Sequence, residues 1–227
     1  MSDTPIATPL KHSFSSIKDF QGCARRFHQV RILRNYKQEE TEAMRYGTEV
    51  HKAFELYLTE SQPLPAPFVK FKRFVDPLAK FNGKILCEQK MGIREDFTPC
   101  GFFDDDVWFR GIPDYLALDE EFGVARVGDF KTGKSSRFAD TSQLELMAAM
   151  VMLHYPKINK VKGALLFIVA NDVIMSVYTR DQLPGILSKW VGYADQINKA
   201  IDSDVWNPKP SGLCKFCPVS AATCEYR

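Results

Sequence analysis

The sequence predicts an α/β domain with a mixed central sheet flanked by helices. Three observations predict it. Helix-period patterns open the chain, three strand-like segments follow in succession, and a helix, two further strands and a last helix close it. At 227 residues with 45% apolar side chains the chain is long enough for one packed core, so 1–227 reads as a single domain. It holds no run of about 18 apolar residues, and the opening MSDTPIATPLKHS has neither a basic nor an apolar signal region. The expectation is a cytoplasmic protein with no membrane segment.

In residues 13–35, Ser13 or Ser15 serves as a cap and Ile17, Phe20, Phe27, Val30 and Leu33 recur at three- and four-residue spacing, which predicts a helix that includes Cys23. Residues 42–59 set Met44, Gly47, His51, Phe54 and Leu58 on one stripe and Glu42, Arg45, Glu49 and Lys52 on the other, a second helix whose histidine faces inward. Pro63, Pro65 and Pro67 interrupt the chain, and 68–81 resumes a basic amphipathic pattern that Pro77 kinks. Strands over 84–93, 107–119 and 124–133 form a meander. A helix is expected over 141–153, strands over 162–171 and 173–179, and a helix over 183–201.

The net charge of +2 does not announce a polyanion binder. Its distribution is uneven: residues 91–130 carry 3 basic and 10 acidic side chains between two basic flanks. Asp104-Asp105-Asp106 reads as a solvated acidic loop, whereas Asp114 and Asp129 suit a divalent cation. Alternate strand residues share a face, so Asp129 and Lys131 point one way and Phe130 the other, and Asp114 lies beside them across the hairpin. Two carboxylates holding Mg2+, with an ammonium beside the attacking water, form a set suited to phosphodiester hydrolysis.

Pro113-Asp114 with Asp129-x-Lys131 resembles the PD-(D/E)XK nuclease superfamily, and Asp129-Phe130-Lys131-Thr132-Gly133 is similar to the D-x-K-T-G form of RecB-type nucleases. His51 in Gly47-Thr48-Glu49-Val50-His51, Gly111-x-x-Asp114 and Gln143 fall in that family's order. The resemblance implies a restriction-endonuclease-like core in which Asp114, Asp129, Lys131 and Gln143 are catalytic. His51, Asp114 and Asp129 would ligate Mg2+ or Mn2+, the imidazole favouring Mn2+ somewhat. Glu88 is either a further carboxylate of the site or a solvent-facing residue. One position departs from the family: the tyrosine expected four residues after the glutamine is Met147, which keeps the apolar packing and loses the hydroxyl.

Six cysteines in a chain without a signal peptide point to metal rather than disulfides. Cys87 and Cys100 read as packing residues. Cys214-x2-Cys217-x6-Cys224 offers three thiolates and Cys23 is the natural fourth; on spacing, zinc and an iron-sulfur cluster fit equally. Here the chain resembles the iron-sulfur exonucleases, among them the CRISPR-associated exonuclease family and its phage relatives. That resemblance implies a 4Fe-4S cluster on Cys23, Cys214, Cys217 and Cys224, joining residues 1–35 to 205–227. Arg25, Arg26 and Arg31 on the cysteine-bearing helix, with Lys134 and Arg137 after the catalytic strand, are candidate phosphate contacts. The implied activity is a metal-dependent DNA exonuclease acting on single strands or DNA ends. The alternatives are a non-cleaving DNA-binding recombination accessory module with the same fold, or an iron-sulfur redox sensor. DNA is the implied partner, with a second copy of the chain or a recombination or CRISPR-adaptation protein as further candidates.

Overall fold

The structure, a computed structural model, describes residues 10–227, so the predicted 1–35 segment is seen from Leu10 onward. In chain order the elements are helices α1 (Phe14–Gly22), α2 (Ala24–Phe27), α3 (Glu42–Glu60) and α4 (Lys72–Ala79), then strands β1 (Lys84–Cys87), β2 (Met91–Ile93), β3 (Pro99–Cys100), β4 (Phe109–Gly111), β5 (Tyr115–Asp119) and β6 (Val124–Lys131). Helix α5 (Ser142–His154), strands β7 (Lys160–Phe167) and β8 (Asp172–Thr179) and helix α6 (Leu183–Ser203) complete it. The main sheet has the order β1-β5-β6-β7-β8, with β6 and β7 parallel and the other neighbours antiparallel. This is the mixed central sheet that the pattern predicts.

Two expectations need correction. The strands expected over 84–93 and 107–119 are each split, because β2 pairs with β4 on one side and with β3 on the other in a separate three-stranded sheet. The pairing register nevertheless runs unbroken from Cys87↔Tyr115 to Met91↔Gly111, so one hairpin serves both sheets. It opens where Pro113 has no N–H to donate to a ladder and Glu88 takes a positive φ of 51°. The helix expected over 13–35 is also broken. Cys23, extended at φ −168° and ψ 111°, ends α1 and caps α2, and His28–Ile32 continues as a π-helical turn.

Strand alternation distributes the core over both faces. On one side Leu116, Leu118, Ala125 and Val127 meet α5, where every residue from Leu146 to Met152 is buried between the sheet and α6. On the other, Tyr115, Ala117, Phe130 and Leu166 meet Val50, Phe54, Phe71 and Phe74 of α3, α4 and the turn before α4. Phe54 is fully buried with its ring 4.8 Å from Phe130, edge to face. Burial of a side chain of this size contributes about 1.5–3 kcal/mol and pins α3 across the end of β6.

Candidate active site

The opening in the hairpin creates the site. One position beyond the pair Cys87↔Tyr115 stand Glu88 and Asp114, and one position beyond Tyr115↔Gly128 stand Asp114 and Asp129. Directly opposed residues of antiparallel strands share a face. The three carboxylates therefore form a row across the strand ends, and the Glu88 N–H still reaches the Asp114 carbonyl at 3.4 Å.

His51 arrives from α3 on the opposite face. Its Nε2 lies 2.9 Å from the Phe130 carbonyl, which can only accept, so Nε2 carries the proton and donates. In the neutral ring the Nδ1 lone pair then faces Asp114 Oδ1 at 3.3 Å, two acceptors in contact. Either a proton or a cation relieves that contact. Burial disfavours the charged ring, but the Asp114 carboxylate, with the Phe130 carbonyl and Asp129, outweighs it and raises the pKa. Asp114 Oδ2 is engaged by the Phe130 N–H at 2.6 Å. One donor atom each from His51, Glu88 and Asp114 falls within 4.8 Å of the others.

Asp129 is the most enclosed of the acids, 6% exposed. Its Oδ1 accepts a short hydrogen bond from Gln143 Nε2, and Gln143 Oε1 accepts from Lys131 Nζ at 2.9 Å. Lys131 Nζ also lies 2.6 Å from Asp129 Oδ2 as an ion pair, the polar contact of that buried oxygen. Burial first, and the neighbouring Asp114 next, push the Asp129 carboxyl well above its ordinary range, and Lys131 only partly offsets them. Burial and Asp114 raise Glu88 in the same way. Crowded, desolvated carboxylates beside a bare imidazole nitrogen form a donor set that fits a divalent cation.

The site thus brings together His51, Asp114, Asp129, Lys131 and Gln143, as expected, and adds Glu88, whose role the sequence left open. Superposing the two halves of the 84–119 hairpin in one register was the signal that finds it.

The cysteines converge as well. All six are free, and Cys23, Cys214, Cys217 and Cys224 line one cavity of about 430 Å3. The Lys209 and Ser211 N–H groups point at Cys23 Sγ and Cys214 Sγ at 3.4 and 3.3 Å. Among the described residues no three of these sulfurs lie within 4.8 Å of one another. The tail that carries three of them is tied to the first helices: Trp206 stacks on His28 with centroids 4.3 Å apart, and the Tyr36 hydroxyl bonds Ser220 and Thr223 at 2.9 and 2.7 Å.

The PD-(D/E)XK nuclease superfamily model matches residues 11–225. The chain belongs to this superfamily. Among solved structures, a "putative exonuclease" from Eubacterium rectale is similar in fold, with 16% identity and a TM-score of 0.52 over 90% of this chain and 86% of that one. The structure of SSO0001 aligns over 94% of this chain and 85% of that one at 12% identity and a TM-score of 0.44. No curated protein matches significantly.

Within the superfamily pattern Met147 is the departure, and its place has a physical reason. It is 4% exposed, and its Cε lies against the Cα of Gly111, where a Cβ would collide with it and crowd Met150 Sδ. The glycine of Gly111-x-x-Asp114 thereby lets α5 approach β4. The five candidate phosphate contacts fall into two groups. Arg26 and Arg31 both pair with Asp19, at 2.8 and 2.6 Å, and Arg25 reaches the Trp206 and Thr223 carbonyls and Glu225. These three knit the cysteine-bearing segment together. Lys134 and Arg137 are exposed and, among the described residues, make no ion pair. No helix of the described residues is long and apolar enough to cross a membrane.

Proposed function

We propose that this superfamily member is a Mg2+- or Mn2+-dependent DNA exonuclease of the RecB type, acting as one nuclease domain on single strands or DNA ends. The observation that carries the reading is the row of Glu88, Asp114 and Asp129 beneath His51, with Lys131 fixed beside it by Gln143. His51, Asp114, Asp129 and Glu88 would hold the cation, which when bound neutralises the scissile phosphate and lowers the pKa of water. Lys131 is placed to orient that water and to balance charge growing on the phosphate oxygens. Gln143 locks both: its amide spends its donor on Asp129 and its acceptor on Lys131, which holds the ammonium clear of the acid row's centre. Met147, buried, supplies packing only.

For the four cysteines we propose a 4Fe-4S cluster. A single tetrahedral ion with metal–sulfur bonds of about 2.3 Å needs its sulfurs about 4 Å apart, whereas among the described residues no three of these lie within 4.8 Å of one another, and all four line the cavity of about 430 Å3. The cluster's role is structural, clamping the tail onto α1 and α2. Lys134 and Arg137 would contact DNA phosphates.

The test is anaerobic purification with iron and zinc quantified, followed by digestion of end-labelled single- and double-stranded DNA with Mg2+, Mn2+ or chelator. The reading expects iron, terminal release of nucleotides that requires added cation, and no release by Asp129→Ala. Undiminished cleavage in Asp129→Ala removes the site assignment. Tight DNA binding without cleavage under any cation makes the protein the accessory module instead.

A further inference from the structure

A second cavity of about 650 Å3 opens beside the acid row. It begins at Thr132, the residue after Lys131, and runs along the first turns of α3 past Tyr46, toward the turn and helix that carry Lys70 and Arg73; Lys134 stands on the loop side. Gly47, one turn before His51, lies against the Thr132 hydroxyl, and Thr132 follows Lys131 in the chain, which sets the cavity next to the end of the catalytic strand. Lys70, Arg73 and Lys134 are all exposed, and among the described residues none has an ion pair or a side-chain hydrogen bond. Glu42 is the one carboxylate on the lining. Lys70 and Arg73 come from a different part of the chain than the catalytic strand, and nothing in the fold requires three unpaired cations around one hollow.

We infer that this hollow receives the single-stranded stretch of polynucleotide adjoining the scissile phosphate, with Lys70 and Arg73 on one wall and Lys134 on the other engaging successive phosphates. The inference rests on the nuclease reading for its substrate class. Cations without internal partners cost nothing to recruit, and phosphate contacts of this kind set register and affinity without reading sequence. The Tyr46 ring on the wall between them offers a face on which a base can stack. A cavity of this size lies in the range that holds one small ligand, and one or two nucleotides of a single strand match it.

Fluorescence anisotropy with a labelled oligonucleotide, in chelator and across a salt series, tests this without calling on hydrolysis. K70A/R73A is expected to weaken single-strand binding roughly tenfold and to flatten the slope of log affinity against log salt by about 1.4, at about 0.7 per phosphate contact. K134A, from the opposite wall, is expected to do the same at about half the size, with the thermal midpoints of all proteins measured alongside. Equal affinities and slopes in the wild type and both variants would overturn the groove, even if the wild type cleaves DNA with Mg2+. A duplex of the same sequence is expected to bind more weakly and to ignore both variants; equal sensitivity of the duplex would overturn the single-strand assignment. Variant-sensitive binding in a protein that never cleaves would keep the groove and remove the nuclease.

Discussion

The acid row and the cysteine cavity are the two places proposed to hold metal, and they are assembled by opposite means. Glu88, Asp114 and Asp129 are aligned by the register of three adjacent antiparallel strands, and the backbone ladder sets their spacing before any side chain packs. The cysteines have no such ladder. Cys23 sits in a break between helices, and its partners sit on a tail held by Trp206, Arg25 and Tyr36. In the acid row the folded chain carries the strain of crowded carboxylates so that a cation can bind. In the cysteine cavity the bound group would supply part of the fold's stability. One region pays for function and the other is where function is absent and stability is added.

The comparison breaks first at the cysteines. A cluster tying Cys23 to Cys214 closes a loop of about 190 residues, worth on the order of 5 kcal/mol by chain entropy. Cys224→Ser is expected to lose the iron absorbance and to lower the thermal midpoint by about 10–20 °C. A variant that keeps the wild-type midpoint would remove the staple. Next in size, Lys131→Ala is expected to slow hydrolysis about 100- to 1000-fold, since the ammonium acts on the phosphate, and to lower the midpoint, because buried Asp129 loses its ion-pair partner. Gln143→Ala should follow it in rate, and a normal rate there would show that Lys131 needs no tether.

The third prediction concerns sign. The Asp129 carboxyl is raised in the folded state, so it contributes nothing adverse below its unfolded pKa, and stability is lost as pH rises through the folded value. Asp129→Asn should therefore raise the midpoint of the metal-free protein by a few degrees at pH 8, a gain on the order of 1 kcal/mol, and the gain should vanish near pH 4. Added Mg2+ should stabilise the wild type at pH 8 and leave this variant unmoved. A midpoint lowered by Asp129→Asn at pH 8 would mean the acid row is not strained. The smallest expected effect is Gly111→Ala, about 1 kcal/mol of destabilisation, because the flexible Met147 end can yield while Met150 yields less. Urea unfolding reads it directly.

Much of this was legible in the sequence, for stated reasons. The order of elements followed from periodicity, and the pairing of Asp129 with Lys131 from strand alternation alone. Helix α5 and strands β6 to β8 came within a few residues: α5 and the ends of β6 and β7 bury apolar runs, while β8 is a β-branched run that pairs along all of β7 with its own side chains exposed or half-buried. The split of the long hairpin between two sheets was not legible, because strand character resumes beyond the opening in the same pairing register. The break at Cys23 was hidden for a related reason: helical spacing persists on both sides of it. The use of Arg25, Arg26 and Arg31 depended on Asp19 and on a tail about 180 residues away, which is tertiary information that no local pattern carries.

The central claim is that the strand-end acids and His51 form a cation site. Titration of the metal-free protein with Mn2+, followed by electron paramagnetic resonance in the absence of DNA, tests it most directly. The account predicts bound Mn2+ in the wild type and at least tenfold weaker binding in Asp114→Asn, with Asp195→Asn, on the exposed side of α6, unchanged. Equal Mn2+ binding by the wild type and Asp114→Asn would contradict it.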